Sequence, residues 1–149
     1  VLDFDDAGPT FGANALASLS QAGGPLRGLR VDFRHVPYDW TKSADLKPVL
    51  TDAQTKRAVV ICSSEGGLFE YGSDTEIEEN LKILREFPEV LAVVGSVTRA
   101  DEPIQRMRKM GRAATRPRGL EVFRNLVKKA GWTIVRAIER PFSDQVVLT

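Results

Sequence analysis

The 149-residue chain has one cysteine and one histidine, and each scarcity closes off a class of chemistry. Cys62 alone cannot form an internal disulfide, so a disulfide scaffold is excluded and a reducing, cytoplasmic setting is expected. His35 alone cannot build a multi-histidine metal site, and no cysteine cluster stands beside it, so no metal is expected. Long apolar runs are missing. Ala58–Cys62 and Val90–Val94 are strand-sized, far short of a bilayer, and no basic-then-apolar leader is visible, so no membrane partner is expected. An excess of either charge is also missing: the net charge is +1, which does not describe a general nucleic-acid binder. No repeat, low-complexity tract or linker breaks the chain. With 42% apolar and 28% charged residues, it has the composition of one globular domain over residues 1–149. An initiating Met is absent. Val1 opens directly on a strand-like run, as in a processed product or a piece of a longer chain.

What is present alternates. Val1–Phe4 is short and apolar and runs into a loop, Asp5–Thr10, with Gly8 and Pro9. Phe11–Leu19 suits a helix, stopped by Gly23-Gly24-Pro25. Leu29–Val36 alternates, with Leu29, Val31, Phe33 and His35 on one face, which predicts a strand. Ser43–Leu50 is a short helix or turn with Ser43 as its cap. Arg57–Ser63 is apolar through Ala58-Val59-Val60-Ile61-Cys62, the pattern of a parallel strand buried on both faces. Asp74 can cap a helix from Thr75, with Ile77, Leu81 and Leu84 at helical spacing and Pro88 beyond its end. Val90–Val97 is a second apolar strand. Gly119–Ala130 is an amphipathic helix presenting Leu120, Phe123, Leu126 and Val127, and Gly131 ends it. Trp132–Ile138 and Gln145–Leu148 are strands joined only by Arg140–Asp144. That link is too short for a parallel crossover, so the last strand should run antiparallel to its neighbour. The remaining alternation of strand and helix predicts α/β architecture, a doubly wound and mostly parallel sheet.

The C-terminal half carries a resemblance. Gly119-Leu120-Glu121-Val122-Phe123-Arg124-Asn125-Leu126, then Lys128-Lys129-Ala130-Gly131-Trp132-Thr133-Ile134-Val135, then Phe142–Leu148 resembles the ending of class I S-adenosylmethionine-dependent methyltransferases. In that family a seventh strand inserts antiparallel between the fifth and sixth. By the same resemblance Val59–Ser64 is the fourth strand, Leu91–Val97 the fifth, Leu29–Trp40 the third with its loop, and Val1–Asp6 the second. The family's Gly-x-Gly-x-Gly loop after the first strand has no counterpart here. Gly8 and Gly12 are misplaced, and acids stand where glycines belong. The implied fold is Rossmann-like with its first strand missing. A sheet so opened exposes an apolar edge, and self-association through that edge is expected.

Three strand ends hold candidate site residues, since ligands of open parallel sheets bind beyond the strands' carboxyl ends. The resemblance implies S-adenosyl-L-methionine as cofactor. An acid after the second strand, Asp3 or Asp5, would accept from the ribose hydroxyls; the plain alternative is a solvated acidic loop complementing a helix dipole. Asp39 would accept from the adenine amino group, with Tyr38 or Trp40 against the ring; otherwise Asp39 caps a turn and Trp40 packs under the sheet. Ser63 and Ser64 open a loop, Ser63 to Gly72, whose glycines permit close backbone approach. There Glu65 can hold a substrate amine or accept a proton, and Phe69 with Tyr71 can wall an acceptor pocket. His35 and Cys62 fit packed positions better than chemistry.

From Arg99 to Arg118 seven basic residues (Arg99, Arg106, Arg108, Lys109, Arg112, Arg116, Arg118) face Asp101 and Glu102. No aromatic is interleaved, so single-strand stacking lacks a platform and nucleic acid is not the expected partner. Arg116-Pro117-Arg118-Gly119, just before a helix, is the place to expect a bound anion. The leading expectation is methyl transfer to an unidentified, small-molecule or other, acceptor. The alternatives are another nucleotide-binding α/β enzyme and a non-catalytic interaction domain with a degenerate cofactor site.

Overall fold

A computed structural model describes residues 1–102 and 115–149. The chain divides into two compact units, Val1–Lys42 and Ser43–Thr149. The expected basic residues Arg106, Arg108, Lys109 and Arg112 lie outside the described residues.

The first unit holds β1 (Leu2–Asp3), α1 (Ala7–Leu19) and β2 (Val36–Pro37). β1 and β2 pair in parallel, with Leu2 opposite Val36 and Asp3 opposite Pro37. The helix starts earlier than the glycine and proline suggested. Pro9 sits in its first turn, where the N–H that proline lacks would have had no partner. The strand expected over Leu29–Val36 shrinks to its last residue. A ladder needs a neighbour, and β1 offers two residues; Leu29 and Val31, meant for a buried face, stand exposed.

The second unit begins with a 3-10 turn (Ser43–Leu46) that runs into α2 (Lys47–Thr55), five residues longer than expected. Then come β3 (Val60–Ser64), the single turn α3 (Leu68–Tyr71), α4 (Asp74–Arg85), β4 (Val90–Thr98), α5 (Gly119–Lys129), β5 (Ile134–Glu139) and β6 (Ser143–Leu148). The cap of α4 is Ser73 rather than Asp74. Ser73 Oγ accepts from Glu76 N at 3.2 Å while Ser73 N donates to Glu76 Oε2 at 2.7 Å, a reciprocal capping box. Gly131 closes α5 at φ 82°, the left-handed geometry expected of it.

The four strands lie in the order β3-β4-β6-β5. β3 and β4 are parallel. β6 runs antiparallel to both its neighbours, Val93 to Thr98 of β4 on one side and Ile134 to Glu139 of β5 on the other. The architecture is thus mixed α/β, with parallel and antiparallel pairs. The core of this unit lies on one face of the sheet. Val93, Val97, Val146 and Leu148 point there, against Ile77 and Leu81 of α4, Phe123 and Val127 of α5, and Trp132. Trp132 Nε1 donates to Leu81 O at 2.9 Å, and the Arg85 guanidinium lies 5.0 Å from the indole centroid.

β3 departs from expectation. Its apolar run suggested burial on both faces, yet burial alternates, and Val59 and Ile61 are 71% and 66% exposed. Among the described residues β3 pairs only with β4. It is therefore an edge strand, and an edge can be covered on fewer sides than a central strand.

Candidate functional site

Parallel pairing in the first unit brings together two stretches far apart in sequence. Tyr38 N donates to Asp3 O at 3.0 Å, so Asp3-Phe4-Asp5 and Tyr38-Asp39-Trp40 leave the sheet side by side at its carboxyl end. His35 Nε2 also sits 3.0 Å from Asp3 O, which gives this ring a structural contact. Each of the three acids holds a local turn through one oxygen. Asp3 Oδ1 accepts from Asp5 N at 3.1 Å, and Asp5 Oδ1 accepts from Ala7 N at 2.6 Å. Asp39 Oδ1 accepts from Thr41 N at 3.0 Å and from Thr41 Oγ1 at 2.7 Å. The Thr41 hydroxyl, then the Thr41 amide, with Lys42 adding to them, hold the Asp39 carboxyl below its ordinary range. The second oxygen of each acid stays outside these turn hydrogen bonds. The local chemistry explains the arrangement: Asp residues favour such turns because the short carboxylate reaches the amide two residues on.

The loop after β3 is arranged differently from the expected pocket wall. Ser64 Oγ accepts from Phe69 N at 3.2 Å and ties the short α3 turn back to its strand. Phe69 is 1% exposed and meets the Phe123 ring edge-on, at 4.8 Å between centroids. It is a core side chain, drawn inward by the apolar face of α5, and does not wall a pocket. Ser63, Glu65 and Tyr71 are exposed around this turn. Cys62 lies half-buried in β3, and burial pushes its thiol up from the ordinary range, which keeps it protonated.

Arg118, expected to meet an anion, is spent on the protein itself. It is 8% exposed. Its Nε donates to Asp74 Oδ1 at 2.7 Å, Nη1 to Phe69 O at 3.0 Å, and Nη2 to Gly72 O. The guanidinium thereby fastens the α3–α4 corner to the start of α5.

A cleft of about 390 Å³ lies beside that start, at the carboxyl end of β4. Arg99, Glu139, Glu121 and Asp144 line it with Leu120 and Val122. Arg99 donates through Nε to Asp101 Oδ2 at 2.9 Å and through Nη1 to Glu139; Glu139 first and Asp101 second hold its guanidinium above the ordinary range. The sequence reading missed Asp144 and Glu139. The available signal was periodicity: Asp144 occupies the same face as Val146 and Leu148, so an acid stands at a core-facing position of β6.

No protein-family model matches the chain. No curated protein matches it. Fourteen solved chains do. One of them, described as "A Pericyclic Reaction enzyme", shares 12% identity at a TM-score of 0.54, over 99% of this chain and 42% of its own. At that identity the likeness is one of fold. The chain spans less than half the length of that protein. Among the described residues no helix is long and apolar enough to cross a membrane, and no three His, Cys, Asp or Glu side chains are grouped to hold a metal ion.

Proposed function

We propose that this chain belongs to a Rossmann-like methyltransferase fold, with S-adenosyl-L-methionine as the methyl donor. The observation that carries this reading is the position of β6, antiparallel between β4 and β5. That arrangement is what the resemblance of the C-terminal half to class I methyltransferases implies. Few α/β sheets end with a strand inserted between its two predecessors, because most connections add strands at an edge.

The residues of the first unit suit the nucleoside end of the cofactor. Asp3 or Asp5 supplies a carboxylate oxygen for ribose hydroxyls, Asp39 one for the adenine amino group, and Tyr38 or Trp40 an aromatic surface for the ring. The methionine end finds no glycine-rich cradle in this sequence, so the chain alone should hold the cofactor weakly. When bound, the cofactor supplies an electrophilic methyl group on a sulfonium. The protein's part is then positioning. Glu65, exposed after β3 in the same stretch as Ser63, Ser64 and Tyr71, is the residue available to take a proton from an acceptor that must lose one.

The fold likeness to a protein described as a pericyclic reaction enzyme suggests a second reading, in which the same sheet serves a pericyclic reaction. Thermal denaturation separates the two. S-adenosylmethionine or S-adenosylhomocysteine should raise Tm, since a ligand that binds only the folded state stabilises it. The D39N variant should lose that response. An unchanged Tm with both compounds at millimolar concentration, in a chain that is folded, removes the methyl-transfer reading.

The exposed β3 edge, with Val59 and Ile61 uncovered, is also read as a self-association site.

A further inference from the structure

We propose that β3 pairs antiparallel with β3 of a second copy of this chain, about a two-fold axis at Ile61. The inference rests on the self-association reading of this edge, whose partner and register it names, and methyl transfer does not enter it.

The backbone carries the first part of the case. Val60 N donates to Glu89 O at 2.9 Å, on the β4 side. In a ladder the N–H and C=O of alternate residues turn to the same neighbour. Val60, Cys62 and Ser64 therefore turn theirs to β4, while Ile61 and Ser63 turn theirs to the free edge, and Val59 continues that alternation. Among the described residues β3 pairs only with β4. A row of unpaired N–H and C=O groups is a template for another strand. The opposite edge of the sheet is guarded, since β5 carries Arg136 and Glu139. β3 reads Val-Ile-Cys-Ser-Ser, with neither a charge nor a proline to repel a partner.

Charge complementarity selects the partner and the register. A two-fold axis perpendicular to the sheet keeps the helices of both copies on one face. Such an axis sets odd-numbered residues against odd and even against even, because side chains alternate between faces. Centred on Ile61, the pairing sets Ile61 beside its own copy, Val59 beside the partner's Ser63 and Val60 beside the partner's Cys62. Carried past the strand ends, the same count brings Arg57 opposite the partner's Glu65, and symmetry repeats the contact. Both side chains are exposed. Centring on Val60 would set Arg57 against Ser63, and centring on Cys62 would set Glu65 against Val59. Only the Ile61 register joins opposite charges across the pair. The contact is isologous and closes on itself, joining two four-stranded sheets into one. Pairing of β3 with β5 of a neighbour would be heterologous and would propagate into fibres.

The test uses the full chain, followed by sedimentation equilibrium up to millimolar concentration. R57E and E65R should each weaken dimerisation about tenfold or more, and R57E/E65R should return it to within about threefold of wild type. Oxidation of single-cysteine variants reads the register separately. I61C/C62S should form a disulfide-linked dimer, because position 61 meets itself. V59C/C62S and S63C/C62S should not when oxidised alone, since each would stand roughly 13 Å from its own copy, but should link when mixed. A wild-type monomer at every concentration overturns this proposal together with the self-association reading. Association that the double reversal does not restore, equal self-linking at positions 59, 61 and 63, or open-ended fibres overturns the proposal and leaves self-association standing.

Discussion

Arg118 and Asp74, forty-four residues apart, meet at 2.7 Å, yet the pair is lopsided: the Arg118 side chain is 5% exposed and that of Asp74 65%. The energy of this contact therefore lies in the buried carbonyls that the arginine satisfies and much less in the ion pair. R118A leaves Phe69 O and Gly72 O without their side-chain donor and should cost about 2–4 kcal/mol. D74N removes a mostly solvated charge and should cost under about 1 kcal/mol. Urea unfolding of both variants measures the ratio, and equal losses would show that the ion pair dominates.

Gly95 sits where β4 passes under α3. A Cβ there would lie 2.7 Å from Phe69 Cδ2 and 2.8 Å from Ser64 O. G95A should therefore destabilise by about 1–3 kcal/mol, the usual cost of overpacking. F69L should recover part of that loss in the double variant, because the ring is only one of the two obstacles. Additive losses in the cycle would refute the contact.

Pro9 apart, the buried apolar residues, from Leu46 to Leu148, belong to Ser43–Thr149, whereas Phe4, Phe11, Leu29 and Val31 of the first unit are exposed. Local opening follows buried apolar contacts. Amides of Ala7–Leu19 should exchange at least 100-fold faster than those of Val93–Val97 and Val146–Leu148. Equal protection in native-state hydrogen exchange would contradict this.

Asp39 should titrate below the ordinary carboxylate value, because Thr41 donates to it twice and Lys42 lies nearby. Its folded value is depressed, so its contribution is fully present above the unfolded value of about 3.8 and is lost as pH falls through the folded one. Carbon-detected NMR of the Asp39 carboxyl should show a low midpoint that moves up in T41V. A midpoint unmoved by T41V would remove the hydroxyl as the main cause.

The β3 edge predicts concentration-dependent association that I61K, placing a charge on an exposed strand position, should reduce. Sedimentation of both proteins measures it, and a wild-type monomer at every concentration is the contrary result.

Much of the second unit was legible because its signals are local. Ile77, Leu81 and Leu84 recur at helical spacing, Gly131 needs a positive φ, and Arg140–Asp144 is too short to cross over. Reading failed where a neighbour decides. Leu29–Val36 alternates like a strand but finds only two residues to pair with. Phe69 and Tyr71 look alike as loop aromatics, yet Phe123 draws one into the core and leaves the other outside. Asp144 and Glu139 were overlooked because an isolated acid in a strand has no motif, only an incongruous position.

The order of helices and strands in the second unit, and the reversal at its end, follow from the amino-acid sequence, since backbone preference and chain length act within a few residues. The tertiary structure alone decides which charges are answered. Arg118 turns inward because burial and pairing depend on elements that arrive from elsewhere in the chain, and no local pattern encodes their distance.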